Sequence, residues 1–155
     1  MTCAADVKVL IQRVTAGRVS IDRSLAGEIR TGFVALVGVR HEDAEADAIA
    51  LADRTTRLRI FSDPAGKMNL ALADVDGSVL AISQFTLYAD MRKGNRPSFV
   101  RAAQSEVAEA LYETYVAHLR ETLGADRVAT GVFGAMMQVE IHNDGPVTIE
   151  LTTDD

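Results

Sequence analysis

The chain has 155 residues, 48% hydrophobic and 25% charged, which is the make-up of one globular domain with a core of its own. Its net charge of −6 argues against a protein that coats nucleic acid, and its longest apolar run is far too short to span a bilayer. With Cys3 as the one cysteine, an intrachain disulfide and a cysteine-based metal site are excluded.

The start, Met1 to Lys8, lacks the basic and apolar stretches of a secretion signal, so a cytoplasmic location is expected. The place of Cys3 near the N-terminus argues against a nucleophilic role. Val7 to Val14 (VKVLIQRV) alternates loosely and predicts a strand, and GRVSID and AGEI predict further strands or hairpin arms. Gly32 to Val39 is apolar on both faces, as in a buried strand.

From His41 to Phe61 acids crowd the beginning while Arg54, Arg57 and Arg59 gather at the end, a polarity that suits a helix dipole. Ile49, Leu51 and Ala52 offer that helix an apolar face. SDPAGK predicts a turn, and Val79 to Leu87 predicts a strand that starts apolar and turns polar. A second helix is expected with Ser105 as its cap, Glu106 and Glu109 in its first turn and Gly124 after its end. Its buried face is read as Val107, Leu111, Tyr115, Leu119 and Leu123. Beyond Arg127 strands return in GAMMQVEI and PVTIEL. Two helices among strands, not in strict alternation, predict an α+β fold with a mostly antiparallel or mixed sheet. No repeat or linker marks a second domain, so residues 1–155 are read as a single domain.

Two stretches invite chemistry. In a regular strand Ser83 and Phe85 face one side while Gln84 and Thr86 face the other. Ser83 and Thr86 serve one site only if the strand ends or bends between them, and a bend would free backbone N–H groups able to hold an oxyanion. The plainer alternative is a strand end whose polar residues meet water. In HNDGPVTIEL, Pro146 has no N–H to give a sheet, and Gly-Pro is the pair least hindered from unusual backbone geometry, a cis bond included. On spacing alone Asn143–Pro146 reads as a turn that starts a strand. His41, His118 and His142 lie in no hydrolase-elbow pattern and have no metal-ligand spacing, so structural or exposed roles are expected. GADRVATGVFG has the wrong spacing for a phosphate loop. Arg92, Lys93, Arg96 and Arg101 cluster without an acid among them, as a solvated loop or a phosphate contact would.

SQFTL at Ser83–Leu87 and NDGPVT at Asn143–Thr148 together resemble D-aminoacyl-tRNA deacylase. The resemblance takes in LIQRV, FSDPAGKMN, GNRPSF and GVFGAMMQV, and covers nearly the whole chain. It implies a small homodimeric α+β barrel-like domain that hydrolyses the ester of tRNA charged with a D-amino acid, and glycyl-tRNA also. It implies a glycine–cis-proline gate, Gly145 and Pro146, that enters the partner subunit's pocket and is held by Arg13. Ser83, Gln84, Phe85 and Thr86 would form the catalytic stretch, and Phe133 and Met137 would pack on the terminal adenine; on pattern alone these two read as core residues. Thr86 is either the nucleophile, for which no base is evident, or part of an oxyanion site assisted by the tRNA's 2′-hydroxyl. No cofactor, metal, membrane or DNA is expected. A silent module that shields aminoacyl-tRNA ends, and a small-molecule-binding domain indifferent to RNA, are the alternatives.

Overall fold

The structure, a computed structural model, describes residues 7–40 and 43–153; Cys3 and His41 lie outside the described residues. The alternation at the start of the chain produces one long strand, β1 (Lys8–Ile21), instead of two short ones. Asp22 and Arg23, both with positive φ, turn it into β2 (Ser24–Ile29), with the backbone twist that tight hairpins need. β3 (Gly32–Gly38) then returns antiparallel to β1.

After α1 (Glu45–Arg57) comes a small hairpin, β4 (Phe61–Ser62) and β5 (Met68–Leu70), at the expected turn. There the Asp63 carboxylate accepts the N–H groups of Ala65 and Lys67, each at 2.9 Å. β6 (Ser78–Ser83) runs parallel to β3, and after α2 (Ser105–Leu123) β7 (Val128–Thr130) runs parallel to β6. The chain closes with β8 (Gln138–Thr152), antiparallel to β1.

The main sheet is thus mixed, in the order β2-β1-β3-β6-β7, with β8 also on β1. Its two ends curl towards each other: a Cβ on Gly27 in β2 would lie 2.7 Å from the Thr130 carbonyl oxygen in β7. The result is a nearly closed, barrel-like sheet with two main helices, the α+β architecture that the pattern predicts. β3 and β6 sit at its centre, and Phe33, Val34, Ala35, Val37, Val79, Leu80, Ala81 and Ile82 are all buried, as strands covered on both faces must be.

Both helices pack on this core. Leu51 and Ala52 of α1 and Tyr115 and Leu119 of α2 are fully buried, and Phe33 stacks on Phe61 at 5.2 Å. The expected face of α2 is only partly correct. Val107 is 42% exposed and Leu123 half-buried, while Ala108, Tyr112 and Val116 are buried. A residue every four positions drifts about 40° per step around a helix of 3.6 residues per turn, so one strict row leaves the core at both ends. α2 also begins one residue earlier than a Ser105 cap would place it: Ser105 is the first helical residue and Gln104 precedes it without a capping side chain. No helix among the described residues is long and apolar enough to cross a membrane.

Two buried phenols tie α2 to its surroundings. The Thr55 hydroxyl donates to the Leu51 carbonyl at 2.7 Å, so its 2.8 Å contact with Tyr115 has the phenol as donor. Tyr112 donates to the Ala81 carbonyl in β6 at 2.7 Å. Burial pushes both phenols well above the ordinary tyrosine range. With folded values raised, the stability they confer is complete below the unfolded value, about pH 10, and is lost as pH climbs towards the folded values. In an alkaline titration the phenolate absorbance of Tyr112 and Tyr115 should therefore appear together with loss of circular dichroism. Ionisation of every tyrosine near pH 10 with the fold intact would contradict this packing.

Candidate active site

β6 ends where the site begins. The Gln84 N–H donates to the Val37 carbonyl at 2.8 Å, continuing the β3–β6 ladder, and the chain then tightens into a 3₁₀ turn over Phe85–Tyr88. The strand predicted to run to Leu87 therefore stops at Ser83. Gly38 permits this: a Cβ there would lie 3.0 Å from Leu87 Cβ and 3.3 Å from the Gln84 carbonyl oxygen, where the turn folds onto the end of β3. Within the turn Leu87 N–H donates back to Gln84 and Ala89 N–H to Thr86, at 3.3 and 3.0 Å. As at any helix start, the first N–H groups are left over; those of Phe85 and Thr86 have no partner among the described residues.

Beside this turn lies a cavity of about 630 Å³ whose wall includes Ser83, Gln84, Phe85, Phe99, Phe133 and Met137. No acidic or basic side chain lines it. Thr86 is outside the wall, exposed, and its hydroxyl is hydrogen-bonded by the Gln84 amide. An amide is not a base, and neither described histidine is at hand: His118 Nε2 pairs with Asp53 Oδ1 at 2.7 Å, joining α2 to α1, and His142 is exposed on β8.

Phe133 and Met137 reach the cavity because GAMM is not the strand that its apolar character predicts. Ala135 N–H closes a turn onto the Val132 carbonyl at 3.1 Å, Gly134 has φ +79°, and β8 starts only at Gln138. Both side chains are half-buried, facing the cavity while resting on the core, with the Phe133 ring 6.2 Å from that of Tyr112. Phe99 also lines the cavity. It lies in a loop with no periodicity to mark it, yet it meets Phe85 edge-on at 4.8 Å.

The Gly145–Pro146 stretch sits elsewhere, and it does not begin a strand. β8 runs on both sides of it. Gln12 pairs with Thr148 and Val14 with Asn143, so Asp144 to Val147 bulge outwards opposite the single residue Arg13. Pro146 is tolerated because the bulge is outside the ladder and needs no N–H. The Gly145–Pro146 bond is cis and Gly145 has φ +128°, where a Cβ would come within 2.8 Å of the Val147 side chain. Asn143 Oδ1 accepts the Val147 N–H at 3.1 Å across the base of the bulge.

Arg13 holds it from below. Its buried guanidinium donates to the Asp144 carbonyl at 3.1 Å and to the Ile60 carbonyl at 2.6 Å, with the Asp144 carboxylate 3.5 Å away. Gly145 and Pro146 are exposed and do not line the cavity of their own chain. The fold thus brings Ser83, Gln84, Phe85, Phe133 and Met137 together and gathers Arg13, Gly145 and Pro146 in a second place.

A model of the D-Tyr-tRNA(Tyr) deacylase family matches residues 10–152, a span that contains both places. The chain belongs to that family. It is 52% identical over 143 residues to a D-aminoacyl-tRNA deacylase of Bacillus pumilus, covering 92% of this chain and 96% of the relative. A D-aminoacyl-tRNA deacylase of Lacticaseibacillus casei is 51% identical over 148 residues, covering 96% and 99%. Among solved structures, the c-Myc DNA Unwinding Element Binding Protein superposes with a TM-score of 0.88 at 38% identity, over 93% of this chain and 97% of that one. A probable eukaryotic D-amino acid tRNA deacylase superposes at 0.82 over 95% and 99%; at 16% identity it speaks for the fold alone. The resemblance carried by SQFTL and NDGPVT is borne out, and with it membership among the D-Tyr-tRNA deacylases.

The geometry of Arg13 makes a stability prediction. In Arg13→Met the stem still fills its space, but the Ile60 and Asp144 carbonyls lose their donor, at a cost of about 2–3 kcal/mol. Urea unfolding of the variant should show this loss, and a change below about 0.5 kcal/mol would place Arg13 outside any structural role.

Proposed function

We propose that this deacylase hydrolyses the ester joining a D-amino acid, or glycine, to the 3′ end of tRNA, and that it works as a homodimer in which Gly145-Pro146 of one subunit enters the cavity of the other. The observation that carries the reading is the pair of unpartnered N–H groups at Phe85 and Thr86, beside a cavity without an ionisable side chain. Such a site cannot activate a nucleophile through a base of its own. It can stabilise the oxygen of an ester carbonyl as negative charge develops there, and one such donor contributes about 2.7–4 kcal/mol to catalysis.

Hydrolysis on this reading needs little else. An aminoacyl ester is already activated. Water attacks its carbonyl carbon with help from the neighbouring 2′-hydroxyl of the tRNA, and the carbonyl oxygen takes up charge towards Phe85 and Thr86. Collapse of the tetrahedral species breaks the ester bond and returns a proton to the 3′-oxygen, leaving free amino acid and tRNA. Phe133 and Met137, both on the cavity wall, provide apolar surface for the terminal adenine. Thr86, hydrogen-bonded by an amide and outside the wall, contributes its main chain.

Selection of the D form follows from the gate. The Gly145 and Pro146 carbonyls of the partner accept hydrogen bonds from the substrate's ammonium group. With ammonium and ester both fixed, the two remaining substituents on Cα have set directions. A D side chain points to the exit, an L side chain strikes backbone, and the second hydrogen of glycine strikes nothing. Rejection by collision costs the correct substrate no affinity, and it is indifferent to what the D side chain is. The separation of gate and cavity within one chain supports two subunits per site.

Pure protein incubated with D-tyrosyl-tRNA and L-tyrosyl-tRNA should release D-tyrosine rapidly and leave the L ester at its spontaneous rate. Protection of either ester would indicate a shielding module, and no effect on either a domain indifferent to RNA. Thr86→Ala should keep kcat within about tenfold of the parent, since removing a true nucleophile costs several powers of ten. Collapse to background in folded Thr86→Ala would make the hydroxyl the nucleophile.

A further inference from the structure

Next to the cavity stands a hairpin that the reaction does not use. Asp90 and Ser98 exchange two backbone hydrogen bonds, 2.7 and 2.9 Å, and every residue from Met91 to Ser98 is exposed. Gly94 stands at its tip with open space around it. The hairpin leads directly into the cavity wall through Phe99 and Ala102, and Arg101 lies between these two.

The cations here differ in what they face. Arg92 is committed to Asp90: its N–H and guanidinium bond the carboxylate at 2.7–3.1 Å, and these bonds hold Asp90 down to about 2. That pair cancels its own charge and stiffens the base of the hairpin. Arg101 lies 5.7 Å from the Tyr88 ring centroid, exposed at its outer end. Lys93 and Arg96 are exposed and have no hydrogen bond or ion pair among the described residues. On a chain of net charge −6, this is a local positive field at the rim of the site.

We propose that Lys93 and Arg96, with Arg101 behind them, form a docking surface for the phosphates of the tRNA acceptor arm, so that the basic hairpin seats the RNA while the cavity takes the ester. The inference rests on the deacylase reading, because only an RNA-borne ester brings a string of phosphates to this rim. The hairpin offers charge without aromatic stacking surface or a groove for base edges, so it binds backbone and is indifferent to sequence. Recognition of the tRNA is thereby divided from recognition of the amino acid.

The test compares Lys93→Ala/Arg96→Ala with the parent on D-tyrosyl-tRNA and on 3′-O-D-tyrosyl-adenosine, which lacks the acceptor arm, and adds equilibrium binding of uncharged tRNA across a salt series. Because both side chains are exposed and unpaired, the melting temperature should not change. KM for the tRNA ester should rise roughly tenfold with kcat unchanged, and hydrolysis of the adenosine ester should be unaffected. The slope of log binding constant against log salt should become shallower by about 1.4–1.8, about 0.7–0.9 for each of the two lost phosphate contacts. An equal loss on both esters, or unchanged tRNA kinetics and salt slope, would overturn the proposal. Failure of the parent on both esters would instead count against the deacylase reading, and the binding series would still decide whether the hairpin holds RNA.

Discussion

The ladder between β1 and β8 has to accommodate four residues opposite one. Two long antiparallel strands with that mismatch must either slip in register or push the surplus outwards, and a slip by one residue would turn every buried side chain of β8 to solvent. The chain takes the second course. Asp144 to Val147 form a protrusion, and the buried guanidinium of Arg13, which pairs with Phe33 of β3 but has no partner in β8, binds its root and the Ile60 carbonyl together. What would be a defect in a sheet becomes an anchored bulge with Gly145 and Pro146 exposed.

A second backbone event of the same kind makes the cavity. The β3–β6 pair is buried on both faces and paired through Val37 and Ser83, after which the chain turns sharply against Gly38. A sheet satisfies its N–H groups by continuing, and a helix satisfies its own only after the first turn. The change from one to the other at Gln84 leaves donors at Phe85 and Thr86 with only solvent or a ligand to receive them. The chemistry proposed here is therefore main-chain chemistry twice over: donors at the end of β6 and acceptors at the bulge of β8. On that proposal a cavity with no acidic or basic side chain among its lining residues needs none, and the filter takes no notice of the substrate's side chain.

The pieces are held by ordinary packing. Tyr112 links α2 to β6 two residues before Ser83 and also packs on Phe133, so one buried side chain steadies both walls of the cavity. Phe133 and Met137 are half-buried, resting on the core while lining the cavity. Around them the charge pattern is local: a chain that is acidic as a whole carries the exposed Lys93 and Arg96 on the hairpin that leads into the cavity wall.

The α+β class, the buried central strand at Gly32–Val39, both helices and the turn at Asp63 were legible in the sequence, because hydrophobic period and turn chemistry act over a few residues. SQFTL and NDGPVT were legible as unusual for the same local reason, polar or proline residues where a strand should continue, and as a family signature when taken together. The length of β8, the bulge opposite Arg13, the end of β6 at Ser83 and the part of Phe99 in the cavity were not. Each depends on a neighbour distant in the chain: β1 for the bulge, Gly38 for the turn, Phe85 for Phe99. Local pattern determined which segments form elements and what fold class they make. The pairing of those segments decided where the backbone had to leave its ladder, and the unpaired donors and the exposed Gly145-Pro146 bulge arise only at such points.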